Sequence, residues 1–265
     1  MLVQLLIVAG FTLLIHMAET LSFAVRLAGV RTGKLAVALS LTGIIVLVSR
    51  TSNMLQGPLI GNIIDTAKTT EGYHLAARFH FIIASASIGT LLAILLVPTC
   101  ISIASRLIAH LEVTGSIPQL IRTSASVERI RRVKKHVKRP RWEMLSRLRI
   151  GGIPKRLLLL NCLATAIYTV GVLSALYASY LIPEASTTAS QASGLINGIA
   201  TVLLTVLVDP RIALLTDKTT RGEADIASIN KMFGLLMLSR FAGTLLAQLL
   251  LVPGALWIKW VVSLM

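Results

Sequence analysis

Ionisable side chains interrupt the most apolar stretches of this sequence, and their types suit the binding of an anion. The first apolar stretch carries His16, Glu19 and Arg26 at the spacing of one helical face. Each such residue costs about 2.5–3.5 kcal/mol at the centre of a membrane helix, so this face should meet polar groups or a wet cavity. Glu19 either forms a structural ion pair with Arg50 or Arg240 or takes part in ion coupling. His16 either makes an interhelical hydrogen bond or relays protons.

Further polar side chains lie in three later apolar stretches. Arg50, Asn53 and Gln56 recur every third residue, and Arg240 lies within the last stretch. Guanidinium groups bind phosphate through two parallel hydrogen bonds, and neighbouring ones can hold a pyrophosphate. The predicted substrate-binding residues are therefore Arg50, Arg240, Asn53, Gln56, Arg26 and Asn197.

The fifth apolar stretch carries Asn197 towards one end and Asp209 towards the other. Asp209 lies next to Arg211, so it either caps the end of the span or joins Glu19 and His16 as a coupling or ion-pairing group. The dipeptides Gly57-Pro58 and Asp209-Pro210 are typical of kinked or broken membrane helices.

No catalytic motif is present. The segment from His16 to Glu19 lacks the second histidine of a zinc-protease helix, and the sequence has no phosphate-binding loop, nucleophile elbow, cysteine cluster or Asp-rich motif. Cys100 and Cys162 lie in apolar runs and are expected to be packing residues. We therefore expect no metal, no cofactor and no ATP-driven step, and we expect a transporter, not an enzyme.

The composition places these residues in a membrane protein. Hydrophobic residues make up 55% of the 265 residues and charged residues only 14%, against about 25% charged residues in soluble domains. An all-α polytopic protein is predicted, with about six spans. The spans are predicted at Leu2–Phe23, Leu35–Ile64, Phe81–Ser105, Leu157–Leu181, Gly194–Leu215 and Met232–Trp257. The fourth is read as uninterrupted apolar sequence.

Lysine and arginine concentrate in alternate loops. The first, third and fifth loops are basic, the second holds only Lys68 and Arg78, and the fourth holds none. The positive-inside rule therefore places the odd-numbered loops in the cytoplasm and both termini outside.

The third loop is the most basic part of the chain. Thirteen of the 26 lysines and arginines lie between Arg122 and Arg156. The chain is accordingly divided into spans 1–3 (1–110), a basic cytoplasmic loop with short amphipathic helices (111–156) and spans 4–6 (157–265). This loop either fixes the topology or gathers anionic phospholipid and anionic headgroups. A nucleic-acid partner is not expected.

A weak internal repeat relates the two halves. A shift of 152 residues places Gly57-Pro58-Leu59-Ile60 and Asp65 over Asp209-Pro210-Arg211-Ile212 and Asp217. Under the predicted topology the halves run in opposite directions, so the pattern predicts an inverted 3+3 repeat with a substrate site where the halves meet.

The sequence also resembles a known family. The resemblance rests on LVQLLIVAGFTLLIHMAETLSFAVRLAGVRTGKLAVALSL, VLVSRTSNMLQGPLIGNIID, GLINGIA and VDPRIALLTDK. These segments are similar to those of the Amj proteins, the bacterial alternates to MurJ, along essentially the whole chain. SFAVRLAGVRTGK with SRTSNMLQ is the most specific part.

The resemblance implies a lipid II flippase of the bacterial plasma membrane. Such a protein moves undecaprenyl-pyrophosphate-linked peptidoglycan precursor from the inner to the outer leaflet. The residues themselves leave other functions open. A secondary transporter of a small organic anion and a non-transporting envelope scaffold both fit, whereas an enzyme acting on phospholipid or polyprenol phosphate lacks the metal or carboxylate cluster it needs.

Overall fold

The computed structural model describes residues 2–70, 72–114 and 152–265, and these ranges are helical without any strand. The helices follow in the order α1 (Leu2–Thr32), α2 (Leu35–Thr69), α3 (Leu75–Thr114), α4 (Lys155–Leu181), α5 (Ser186–Gln191), α6 (Ser193–Val202), α7 (Asp209–Thr220) and α8 (Ile226–Val262). A 3₁₀ turn, Pro183–Ala185, precedes α5, and a π-helical turn, Leu203–Val208, joins α6 to α7.

Six helical segments are long and apolar enough to cross a membrane. They are α1, α2, α3, α4, the composite Pro183–Thr220 (the fifth span) and α8. Helices satisfy their own backbone hydrogen bonds, which is the condition for crossing lipid. The all-α polytopic prediction with six spans is confirmed. The predicted amphipathic loop at 111–156 falls largely outside the described residues.

Several helices extend beyond the predicted spans, because a helix does not end where its apolar run ends. The first span was predicted to end at Phe23, but α1 continues to Thr32. Gly33 then adopts a left-handed conformation (φ 68°), and the backbone N–H of Lys34 donates to the carbonyl of Gly29 at 2.9 Å. This glycine cap turns the chain directly into α2.

The two candidate helix breaks differ. Helix α2 runs without a break through Pro58, so a broken helix at Gly57-Pro58 is not found. In the fifth span, Pro210 lies in the first turn of α7, directly after the π-helical turn. Proline fits the first turn because its missing N–H would have no helical partner there.

The close helix pairs are built in the same way in both halves. Helix α3 packs on α1, where a Cβ on Gly89 would overlap the carbonyl of Leu13. Helix α8 packs on α4, where a Cβ on Gly243 would approach the carbonyl of Cys162 to 2.5 Å. Small residues let helix backbones approach closely in membranes. The inverted repeat stays a prediction, and this similarity between the two helix pairs is consistent with it.

Helices α1, α3, α4 and α8 form the centre of the bundle. Helix α2 packs mainly on α1, and α6 packs on α4. Across the described residues, α2 does not pack against α6, the π-helical turn or α7. A space therefore separates α2 from α6, the π-helical turn and α7, although Lys68 at the end of α2 donates a hydrogen bond to Ser186 of α5 at 2.7 Å.

Candidate functional site

A cavity of about 790 Å³ occupies the space between α2 and the fifth span. Its walls come from α1, α2, α4, the fifth span and α8. All nine residues singled out from the sequence line it: His16, Glu19, Arg26, Arg50, Asn53, Gln56, Asn197, Asp209 and Arg240. Residues from four separate spans thus converge on one volume.

Glu19 contacts two other helices through its two carboxylate oxygens. Its Oε2 accepts a hydrogen bond from Nη2 of Arg240 at 2.6 Å, and its Oε1 accepts one from the hydroxyl of Ser49 at 3.1 Å. One carboxylate therefore joins α1, α2 and α8. Of the two ion pairs considered for Glu19, the one with Arg240 forms, and Arg50 stays outside it.

Two guanidinium groups flank one aromatic ring. The Cζ atoms of Arg26 and Arg240 lie 6.0 and 5.8 Å from the ring centre of Phe23, which is itself buried. A cation within about 6 Å of such a ring is attracted by its quadrupole. The Nε of each arginine is buried and has no hydrogen-bond partner among the described residues. Arg26 makes no hydrogen bond to a described residue, so its terminal nitrogens are left for a further acceptor, whereas one terminal nitrogen of Arg240 already binds Glu19.

Arg26 and Asp209 mark one end of the cavity. They are close enough to interact electrostatically, but they do not form an ion pair within 4 Å. We refer to this part of the cavity as the Arg26 end. Asp209 is exposed, and because the fifth span continues to Thr220, Asp209 does not lie at its end and the cap predicted for it there is not found.

Arg50 directly follows Ser49, whose hydroxyl binds Glu19. It is exposed, and the described part of the chain offers it neither an ion pair nor a hydrogen bond. The hydroxyl of Tyr168 lies within electrostatic range of Arg50, Glu19 and Arg240. Arg50 is therefore the cation of the cavity whose charge is least compensated.

Neutral polar groups line the other end. The side-chain amide of Gln56 donates from Nε2 to the hydroxyl of Thr12 at 2.7 Å. Asn197 lies against Gly171, where any Cβ would overlap its Oδ1. Thr12 and Arg26 are about 21 Å apart along α1 at 1.5 Å per residue. We refer to this part as the Asn197 end.

His16 lies one turn from Glu19 and is only 4% exposed. Its Nδ1 has no hydrogen-bond partner within the described ranges, so that atom does not make the interhelical hydrogen bond considered for it.

Sequence reasoning missed the polar face of α4. Asn161, Thr165, Tyr168 and Thr169 all line the cavity, although the fourth span was read as uninterrupted apolar sequence. The amide of Asn161 donates to the carbonyl of Leu236 at 3.0 Å and to Ser239 at 2.6 Å, while its Oδ1 has no partner in the ranges described. Their spacing of four, three and one residues matches one helical face and was the available signal.

The described residues form no metal-binding cluster at this site. Among them, no three His, Cys, Asp or Glu side chains come together in a way that holds a metal ion. The cavity instead presents three guanidinium groups and two carboxylates, an excess of one positive charge, and is suited to binding an anion.

Comparisons with known proteins identify the family of this sequence. Residues 11–262 match the family model described as Amj, alternate to MurJ. The chain is 44% identical over 258 residues to a protein of Bacillus subtilis (strain 168) named lipid II flippase Amj, with 97% of this chain and 96% of that protein aligned. No solved structure matches.

Proposed function

This chain belongs to the Amj family, and on that premise we propose that it is a lipid II flippase of the bacterial plasma membrane. It moves undecaprenyl-pyrophosphate-linked peptidoglycan precursor from the inner to the outer leaflet and catalyses no covalent step. The observation that carries this proposal is the cavity of about 790 Å³ with its three arginines.

The cavity suits a substrate with a charged headgroup and an apolar tail. The headgroup needs a polar route, since a phosphate in hydrocarbon has no compensating partners. The tail needs none and can remain in the bilayer. The space between α2 and the part of the fifth span from α6 to α7 supplies a lateral opening for that arrangement, because these elements line the same cavity without packing together.

The edges of this opening are apolar on their outer sides. Met54 and Leu55 of α2 are exposed, as are Val202 and Val206 of the fifth span. These side chains provide lipid-compatible surface on both sides of the gap. A secondary transporter of a small organic anion has no need of such an opening. A non-transporting scaffold has no need of arginines whose charge is uncompensated. Both alternatives are therefore less well supported.

The arginines offer the pyrophosphate successive positions. Arg26 and Arg50 make no hydrogen bond to a described residue, and Arg240 shares its guanidinium group with Glu19. A phosphate approaching Arg240 competes with Glu19 for the same cation. Binding therefore loosens the contact that joins α1, α2 and α8, and this couples substrate entry to alternating access of the two halves.

The direction follows from the loop charges. The positive-inside rule places the Arg26 end towards the cytoplasm and both termini outside. An inside-negative potential then favours outward movement of the anionic headgroup by about 2.3 kcal/mol per charge per 100 mV. ATP is not required. The basic loop at 111–156 gathers anionic phospholipid and the anionic headgroup before entry.

Complementation tests this function. Cells depleted of their other lipid II flippase should regain outer-leaflet lipid II and grow when they express this chain. Normal membrane insertion without restored outer-leaflet lipid II would contradict the proposal.

A further inference from the structure

The polar lining of the cavity is divided by charge along its length. The guanidinium and carboxylate groups lie from the Arg26 end to the level of the Glu19–Arg240 pair. Beyond that level, apart from the imidazole of His16, the polar lining residues carry amides and hydroxyls: Thr12, Asn53, Gln56, Thr165, Thr169 and Asn197. Amides and hydroxyls both donate and accept hydrogen bonds, which suits a neutral ligand rich in hydroxyl and amide groups.

Asn197 is the clearest sign of a missing ligand. Its side-chain amide makes no hydrogen bond to any described residue, and its Oδ1 is enclosed against Gly171, so its Nδ2 is the group left to donate to a ligand in the cavity. A polar donor without a partner is unfavourable in a site removed from water. Such a group in a membrane span is expected to gain a partner from bound substrate.

The position of Asn197 is fixed by the neighbouring helix. Gly171 on α4 leaves room for the amide, and any larger residue there would collide with Oδ1. The amide oxygen is therefore held against α4, and the amide lies at most about 18 Å from Asp209 along the fifth span, at 1.5 Å per α-helical residue and less within the π-helical turn. This distance separates it from the Arg26 end by more than the size of a pyrophosphate.

We propose that the Asn197 end is a carbohydrate subsite, in which the glycan of the lipid-linked precursor hydrogen-bonds to Asn197 and the neutral side chains around it. This inference rests on the proposed function and deepens it by assigning separate parts of one cavity to the pyrophosphate and to the sugar. It follows that glycan recognition depends on Asn197, whereas pyrophosphate recognition depends on the arginines.

Binding of two lipids to purified protein tests the assignment. Undecaprenyl pyrophosphate carries no sugar, whereas lipid II carries both groups. Asn197→Ala should weaken binding of lipid II by about tenfold, the equivalent of one lost buried hydrogen bond, and should leave binding of undecaprenyl pyrophosphate unchanged. Gly171→Ala, which displaces the amide without removing it, should act in the same direction.

Two comparison variants give the experiment its contrast. Arg26→Gln should weaken both lipids. Thr201→Val alters the same helix at an exposed position. Within the described ranges the hydroxyl of Thr201 donates only to the backbone carbonyl of Asn197, and the variant should change the binding of neither lipid.

The possible failures are distinguishable. Equal weakening of both lipids by Asn197→Ala, or no weakening of either, overturns the carbohydrate subsite while wild-type binding keeps the flippase proposal intact. Wild-type protein that binds neither lipid overturns the proposed function itself.

Discussion

Oε2 of Glu19 lies 2.6 Å from Nη2 of Arg240, and this ion pair joins the first and last spans across 221 positions of sequence. Arg240 is only 8% exposed. Removing one member of a buried pair leaves an uncompensated charge in a medium that solvates it poorly, at a cost of about 3–5 kcal/mol.

Glu19→Ala and Arg240→Ala should therefore each lower the thermal unfolding temperature of the detergent-solubilised protein. The double variant Glu19→Leu with Arg240→Met should regain most of the loss, because no lone charge remains. A double variant as unstable as the sum of the two single variants would show that the pair is not coupled.

Charge removal inside the cavity should reduce transport more than charge removal outside it. Arg26→Gln takes away a guanidinium group with a free donor, and we expect outer-leaflet lipid II to fall at least tenfold at equal expression. Arg221→Gln is the matched control, because Arg221 is exposed and, among the residues described, pairs only with Asp217, one turn away. Equal activity of the two variants would remove Arg26 from the transport path.

A photo-crosslinking residue at the lateral opening should capture the lipid tail. Met54 lines the cavity and is 77% exposed, so a benzophenone side chain there should form an adduct with lipid II that mass spectrometry detects. Leu249 of α8 is similarly exposed (72%) but does not line the cavity. Equal labelling at both positions would indicate general contact with lipid and no specific opening.

The close contact between α4 and α8 should not tolerate a methyl group. Gly243→Ala places a Cβ 2.5 Å from the carbonyl of Cys162, and we expect a loss of about 1–3 kcal/mol from overpacking, seen as a lower unfolding temperature. Gly10→Ala is the same substitution in α1 with nothing within 4 Å, and it should be neutral or slightly stabilising. Equal stability of the two variants would contradict this packing.

Labelling in intact cells tests the orientation. In a background without Cys100 and Cys162, Ser263→Cys should react with a membrane-impermeant maleimide, because the C-terminus is predicted to face outward. Arg221→Cys, in the fifth loop, should react only after the membrane is opened. The reverse pattern would invert the direction of transport that we propose.

The membrane fold was predictable because each span carries its own signal. Twenty apolar residues identify a helix that crosses lipid wherever it lies in the sequence, and buried charges identify the faces that turn inward. That is why the sequence alone identifies nine ionisable and amide residues that line the cavity. The partner of Glu19 was not predictable, since the choice between Arg50 and Arg240 depends on how three helices approach each other.

The polar face of α4 was missed for a related reason. Asn161, Thr165 and Thr169 are uncharged, so their cost in a span is small enough for average hydropathy to hide them. Only their spacing distinguished them from isolated polar residues. The cap at Gly33 was equally hidden, because a glycine at a helix end and one inside a span look alike in sequence.

The π-helical turn at Leu203–Val208 sets the angular phase of the fifth span. Asn197 and Asp209 are twelve residues apart, and at about 100° per residue an uninterrupted α-helix would direct them about 120° away from each other. A π-helical turn closes each hydrogen bond one residue later, so it advances by only roughly 80° per residue. Over its six residues it rotates about 120° less than an α-helix of the same length. Both side chains consequently face the same cavity. One wide turn thus aligns an amide and a carboxylate that a regular helix would have pointed in different directions.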